Sequence, residues 1–500
     1  MDAIFLAASM LFDPFVLAVI VGSAAIGMVL GAIPGLTATM GIILLIPFIF
    51  YLDPLPAIAA IVSLTATAIF AGDIPGALMR IPGTPASAAY TDEAYQMSLK
   101  GKAELALGIS LVTAACGGMI GALVLLFAAP PLADLALKFS SFEYFWLACL
   151  GLSTSIILTS SDKVKGFAAV FIGVLISSVG LDPLSGLPRF TAGSTNLLAG
   201  LHLVPVLVGL YAVSEVIRDY EKPEKRGDAL KVEVGNVFYG VGRTIWTYRF
   251  SFVQGNLIGS LLGALPGAGA DIASWISYAV SRKLSRNPEK FGTGHPEGLV
   301  GAGAANNSAI SSAYVPTIAF GIPGDSLTAI VIGVLFVKGV NPGPTVFLNQ
   351  PELVYAIIFS FFIANLIMIP MGFFVIKIAK NIVYIPRPVL LPFVIVFAMV
   401  GAFAATNTQF AFIVLIAMGI LGWLMEANDI PIAPAVLGMI LGPLIEESFL
   451  KSLLISNGSF LPFLERPIAG FFGVATFIVV LAPVILYLKQ SIWRRTVLKE

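Results

Sequence analysis

Two stretches of this chain nearly coincide: Ile26-Gly27-Met28-Val29-Leu30-Gly31-Ala32-Ile33-Pro34-Gly35, and later Ile258-Gly259-Ser260-Leu261-Leu262-Gly263-Ala264-Leu265-Pro266-Gly267. Each is followed by a second Pro-Gly break, Ile81-Pro82-Gly83-Thr84-Pro85 after the first copy and Ile322-Pro323-Gly324-Asp325-Ser326 after the second. Pro-Gly ends a helix, because Pro lacks the donor N–H and Gly accepts backbone angles that other residues resist. Matched interruptions inside apolar sequence constrain the chain to paired, broken helices, and they point to the binding site of a secondary transporter.

The apolar background makes that a membrane argument. Hydrophobic residues fill 58% of the 500 positions and charged residues 11%, against roughly 45–50% and about 25% in a soluble domain. Windows long enough to cross a bilayer recur near residues 14–33, 55–71, 104–130, 142–160, 164–180, 197–216, 352–378, 386–406, 409–426 and 467–488. With the broken segments added, the expectation is an all-α polytopic membrane protein of about 12 transmembrane helices plus broken or re-entrant hairpins, in two sequence-related halves.

Zero net charge and the absence of a dense Lys/Arg run do not suggest a nucleic-acid partner. Cys116 and Cys149 sit in apolar windows as packing residues, and His202 and His295 are far apart. No metal-ligand spacing and no cofactor motif result. The N-terminus begins Met-Asp with no basic residue before the first apolar run, unlike a cleaved signal peptide, so residues 14–33 are expected to stay as a membrane helix. The most basic stretch runs from Arg218 to Arg249 through Lys222, Lys225, Arg226, Lys231 and Arg243. It reads as a cytoplasmic connector (218–250) between an N-terminal half (1–217) and a C-terminal half (251–500). Arg282, Lys283, Arg286 and Lys290 after the Pro266-Gly267 break, and the C-terminal Lys489, Arg494, Arg495 and Lys499, read as cytoplasmic too.

Non-helical backbone at membrane depth is tolerated only where it lines protein or a water-filled cavity, so Pro34, Gly35, Thr37, Pro266 and Gly267 mark candidate cavity positions. Thr84-Pro85 reads as an N-cap with a first-turn Pro, and Asp325 or Ser326 as the cap of the helix that follows. Gly83, Ser87 and Gly324 complete these breaks. A helix starting there aims free N–H groups at an anion, and carbonyls freed at the preceding helix end can ligate a cation. The alternative is ordinary helix kinking. Gly27, Gly31, Gly259 and Gly263 are spaced for close helix packing. Asn306-Asn307 are the sharpest binding candidates, because side-chain amides serve both carboxylates and cations; interhelical hydrogen bonding is the plainer reading. Asp73 and Asp271 are intramembrane carboxylates or interfacial caps. Arg80 either neutralises a substrate carboxylate or extends to the surface.

At these residues the chain resembles a known family. Gly31-Ala32-Ile33-Pro34-Gly35-Leu36, Ile81-Pro82-Gly83-Thr84-Pro85-Ala86-Ser87, Pro266-Gly267-Ala268-Gly269, Phe291-Gly292-Thr293-Gly294 with Glu297-Gly298, Ala305-Asn306-Asn307 and Gly321-Ile322-Pro323-Gly324 are similar to TctA, the large membrane subunit of tripartite tricarboxylate transporters. The resemblance implies a permease in the bacterial inner (cytoplasmic) membrane, working with a small four-helix membrane subunit (TctB-like) and a periplasmic solute-binding protein (TctC-like). It implies import of citrate or a related carboxylate driven by an ion gradient, usually sodium. Departures stand at Ala302, Gly303 and Ala304, where the family usually carries a Pro, an acidic residue and a Ser. Arg80 stands in place of a usual Asn, and Asp92-Glu93-Ala94-Tyr95 in place of Asp-Gly-Tyr/His-Pro. A carboxylate lost and a cation gained point to a changed substrate or coupling ion.

Two other function classes compete with this reading. A membrane-embedded enzyme needs a nucleophile with a base, paired catalytic carboxylates or a metal cluster, and none has recognisable spacing. A passive channel would show flux indifferent to an opposing ion gradient. Whether the halves are inverted or parallel is open at this stage.

Overall fold

A computed structural model of the chain describes residues 2–34, 36–159, 162–182, 185–221, 235–267, 269–382 and 387–481. Gly35, Lys222, Lys225, Arg226, Lys231 and the C-terminal Lys489, Arg494, Arg495 and Lys499 lie outside the described residues.

The described residues are 79% helical, and their strand content is one antiparallel ribbon pairing Gly180 with Arg189 and Leu181 with Pro188. Six described helices are long and apolar enough to cross a membrane: Pro14–Ala32, Pro54–Met79, Ala103–Ala136, Pro351–Ala379, Phe410–Ala427 and Ile432–Ile455. Shorter apolar helices include Ala38–Ile49, Ser141–Ile157, Ser326–Val337, Leu390–Thr406 and Pro467–Leu481. The exposed flanks of the helices carry Phe15, Val21, Phe127, Leu257 and Phe374, side chains that suit contact with lipid rather than water.

The chain packs as two compact units, one of Met1–Ala136 with His202–Ala427 and one of Leu137–Leu201 with Asn428–Glu500. The larger unit holds every candidate binding residue. Its centre is Pro54–Ala71, in which each residue after Pro54 is buried. It also contains a bent element in which Leu203–Val208 passes through a π-helical turn, Gly209–Val213, into Ser214–Glu221.

In the smaller unit, Ile432–Ile455 lies against Lys163–Ser177 at glycine positions. A Cβ on Gly438 would stand 2.5 Å from the Val170 carbonyl oxygen, so these helices approach backbone to backbone. Phe142 and Phe463 form an edge-to-face pair at 5.1 Å, and Phe145 and Phe449 pack around them. Arg466 Nε donates to Glu143 at 3.0 Å, and Arg189 grips Glu446 through both terminal nitrogens at 2.6 and 3.0 Å, a bidentate geometry that fixes orientation.

Candidate functional site

The two hairpins break where the repeated Pro-Gly sequence demands it. Pro14–Ala32 ends at extended Ile33, a turn closes from Leu36 N–H to the Ile33 carbonyl at 3.2 Å, and Thr37 caps the next helix, Ala38–Ile49, by accepting the Met40 N–H at 3.3 Å. Arg249–Gly263 ends at Ala264, still in the right-handed helical region, and the chain turns through Gly267 and Gly269, at φ 79° and 64°, into Gly269–Leu284. Those left-handed angles are the ones glycine adopts without steric cost.

The second breaks repeat one another 241 positions apart. Pro54–Ala71 continues into the short helix Asp73–Met79, which Arg80 terminates in a left-handed conformation at φ 60°, its N–H reaching Gly76 at 3.1 Å and the Ile81 N–H reaching Pro75 at 3.4 Å. Gly83 then folds back to donate to the Gly72 carbonyl at 3.0 Å, and a Cβ there would stand 2.5 Å from the Gly72 Cα. Thr84 and Ser87 cap each other: the Ser87 N–H donates to Thr84 Oγ1 at 3.0 Å, and the Thr84 N–H to Ser87 Oγ at 3.1 Å.

In the second copy Tyr314–Phe320 is terminated by Gly321 at φ 71°, with Gly321 N–H to Thr317 at 3.1 Å and Ile322 N–H to Pro316 at 3.3 Å. A Cβ on Gly324 would stand 2.7 Å from the Ala313 carbonyl oxygen. Asp325 and Thr328 form the reciprocal capping box at 2.8 and 2.9 Å, satisfying two otherwise unpaired helix donors. The Gly324 carbonyl also accepts the Gly267 N–H at 2.8 Å, which ties the second hairpin to the second break.

The packing beneath the breaks repeats too. Thr67 Oγ1 donates to the Ala24 carbonyl at 3.0 Å, and Ser308 Oγ to the Asn256 carbonyl at 3.4 Å. A Cβ at Gly27 or Gly31 would collide with Leu64, Thr67 or Ala68, and one at Gly259 or Gly263 with Ala305, Ser308 or Ala309. These four glycines therefore serve close helix contact.

Between the breaks lies a buried polar chain. Tyr90 OH donates to Asp73 Oδ1 at 2.7 Å, Asn306 Nδ2 donates to Tyr90 OH at 2.9 Å, and Ser110 stands beside Asp73. Asn307 Nδ2 donates to the carbonyl of Ala66 at 3.3 Å, 241 positions before it. Asp73, Tyr90, Asn306 and Asn307 are 3%, 1%, 1% and 2% exposed, and neither asparagine oxygen has a hydrogen-bond partner.

With this geometry in view, comparison with known proteins is decisive. The family model described as "Tripartite tricarboxylate transporter TctA family" matches residues 17–437. The chain belongs to the TctA family. An "uncharacterized 52.8 kDa protein in TAR-I ttuC' 3'region" of Agrobacterium vitis is 34% identical to it over 468 residues, covering 92% of this chain and 91% of the relative. An "uncharacterized protein in TAR-II ttuC' 3'region" of the same organism is 37% identical over 225 residues, 45% of this chain and 93% of the relative. No solved structure matches the chain. Membership makes this TctA protein a multi-pass membrane protein and a component of a tripartite transporter family.

The residues singled out in the TctA sequence do not all converge. Asn306 joins the buried chain and its sequence neighbour Asn307 holds the Ala66 carbonyl, whereas Thr84, Ser87 and Asp325 are engaged in capping. Arg80 turns away from the asparagines and pairs with Asp92 at 2.7 Å, both side chains 59% exposed. Ser326 meets Tyr211, and Pro34 is buried. Asp271 is exposed at the start of Gly269–Leu284, beside the Ala86 N–H and Asp325, and Trp275 Nε1 donates to the Pro85 carbonyl at 3.3 Å. The second hairpin after Pro266 thus reaches the first break.

Two residues were missed. Tyr90 links Asp73 to Asn306, and its separation of 216 positions from Asn306 concealed it. Glu93, fully buried, accepts the backbone N–H groups of Gly292, Gly294 and His295 at 2.5, 2.7 and 2.7 Å, and Tyr278 OH at 2.8 Å. The neighbouring Glu297 gathers Ser251, Ser285 and His295 at 2.9, 2.6 and 3.3 Å. The Gly-x-Gly spacing at 292–294 was the available signal, since Gly292 and Gly294 take φ 85° and 89° and so turn successive N–H groups to one side, as an anion nest requires.

Proposed function

We propose that this TctA protein is the permease subunit of a binding-protein-dependent secondary transporter, built of two related halves and about 12 crossings, that imports a carboxylate anion together with a cation, sodium by preference. In this reading it sits in the bacterial inner membrane and works with a small four-helix membrane subunit and a periplasmic solute-binding protein. The observation that carries the proposal is the pair of break elements repeated 241 positions apart around Asn306 and Asn307 in a chain of this family. Interrupted helices in matching positions are how secondary transporters build a midplane site.

The anion is assigned to the first break. Thr84 and Ser87 cap it with neutral hydroxyls, whereas Asp325 already places a carboxylate at the second, where a second anion would meet like charge. The solute class, tricarboxylate, citrate-like or another organic acid, is read by uptake. Labelled di- and tricarboxylates are offered to vesicles holding the chain and its small partner, with the binding protein outside, with and without an inward sodium gradient. Gradient-driven, binding-protein-dependent uptake is expected, and Asn306→Ala and Asn307→Ala should each abolish it in folded protein. Uptake indifferent to an opposing gradient would instead favour a channel, and near-normal transport by both alanine variants would refute the site.

A further inference from the structure

The hydrogen bonds around Asp73 run in one direction. Tyr90 spends its proton on Asp73, so it can only accept from Asn306, which fixes the Asn306 amide with nitrogen toward the tyrosine and oxygen left over. Asn307 likewise spends its nitrogen on Ala66 and leaves its oxygen unpaired. The cluster therefore leaves two amide oxygens without a donor, near a carboxylate held by the hydroxyl of Tyr90 and faced by that of Ser110. Among the described residues no Lys or Arg comes within ion-pair distance of Asp73. The titratable group facing it is Tyr90; Ala103–Ala136 presents Ser110, and Pro296–Ser312 presents Asn306. A buried carboxylate without a cationic partner and with unpaired acceptors near it is a costly arrangement, and a small positive ion relieves it.

We propose that Asp73, Asn306 and Asn307, with Tyr90 as the positioning residue, form the seat of a monovalent cation, sodium or a proton. Sodium can draw on carboxylate and amide oxygens alike, whereas a proton satisfies the carboxylate and leaves the amides as they are. That this cation is the coupling ion rests on the permease reading above; that it binds does not, and the two are tested apart.

The test is the thermal midpoint of the purified full chain in detergent micelles, without solute or partners, where binding to the folded state alone raises stability. Sodium chloride is compared with equal choline chloride at alkaline pH, and the choline sample is then taken stepwise toward acid. A sodium-specific rise that Asp73→Asn loses and Tyr90→Phe retains with roughly tenfold weaker apparent affinity assigns sodium. A rise on acidification in choline, lost in Asp73→Asn, assigns the proton. A wild type that responds to neither, or an Asp73→Asn chain that keeps the wild-type response, overturns the proposal. Should Asp73→Asn fail to fold, Tyr90→Phe carries the decision, and an unchanged response to both cations overturns it. Failure of carboxylate uptake would leave this result standing.

Discussion

At Thr84 the first break is capped by a hydroxyl, whereas 241 positions later, at Asp325, the second is capped by a carboxylate. The backbones agree in their left-handed terminators, in the back-bonds behind them and in a glycine pressed against the preceding helix. The side chains do not. Asp73 opens a polar chain through Tyr90 to Asn306, while its counterpart Tyr314 packs edge-to-face on Phe361 at 4.8 Å. Glu93 collects three backbone N–H groups, while its counterpart Val334 is buried among apolar neighbours. The backbone geometry recurs in both breaks, and charge differs between them: buried Asp73 and the neutral cap at Thr84 belong to the first, the carboxylate cap at Asp325 to the second.

The largest effect expected from breaking this comparison is at Glu93. Alanine there leaves the N–H groups of Gly292, Gly294 and buried His295 without their charged acceptor, at a cost upwards of about 3 kcal/mol. Val334→Ala removes two methyls, at about 1 kcal/mol. Equal losses in denaturant unfolding would show that the nest is not a special support of the first copy. Next come Gly83→Ala and Gly324→Ala. Each drives a methyl into the preceding helix, toward Gly72 or toward the Ala313 carbonyl, and each should lose about 1–3 kcal/mol. The two losses should be alike, since the shared feature is the backbone; a tolerated alanine at either position would show that its break is not held by this contact.

Much of this was legible in the sequence. Pro-Gly states a helix break directly, because it acts on the residue's own backbone, so the paired breaks and the cap at Asp325 could be read from order alone; Thr84 opens a single turn with Ser87, and the helix expected after Pro85 is only the three-residue 3-10 turn Ser87–Ala89. The apolar windows named most of the long helices but not Ile432–Ile455, whose apolar run is interrupted by Pro443, Glu446, Glu447 and Lys451. The orientation of Arg80 was not legible: a side chain on a turn can face either way, and Asp92, which holds it, lies on the next helix. Asn306 was nominated for its chemistry, but its partner Tyr90 is 216 residues away, and no local pattern encodes such a pairing. Glu93 escaped for the same reason, as an acidic residue in a helix that looks like any solvated one until its partners arrive from 292–295.

Exchange of the caps sharpens the comparison through transport. Asp is as good an N-cap as Thr, so Thr84→Asp should fold while placing like charge where the anion is assigned. The apparent KM for the carboxylate should rise at least about tenfold, some 1.4 kcal/mol. Asp325→Thr keeps a cap and removes charge from the other copy, and should move that KM by less than about twofold. An unchanged KM in Thr84→Asp would remove the anion from the first break.

The smallest effects lie at the terminators, where Gly321 is in its natural conformation and Arg80 is not. Gly321→Ala should lose about 1 kcal/mol, because its φ is positive and the new Cβ would lie 2.8 Å from the Pro342 carbonyl oxygen. Arg80→Gly relieves the same strain and gives up a pair with Asp92 that is exposed on both sides, an interaction worth little in water. Its thermal midpoint should rise, by on the order of 2 °C. Uptake by this variant is then the informative measurement. Where a strained residue is kept although glycine would fold better, the strain belongs to function, so a more stable Arg80→Gly chain with impaired uptake would assign Arg80 to the transport cycle. Equal uptake would leave it a surface arginine on an inherited turn.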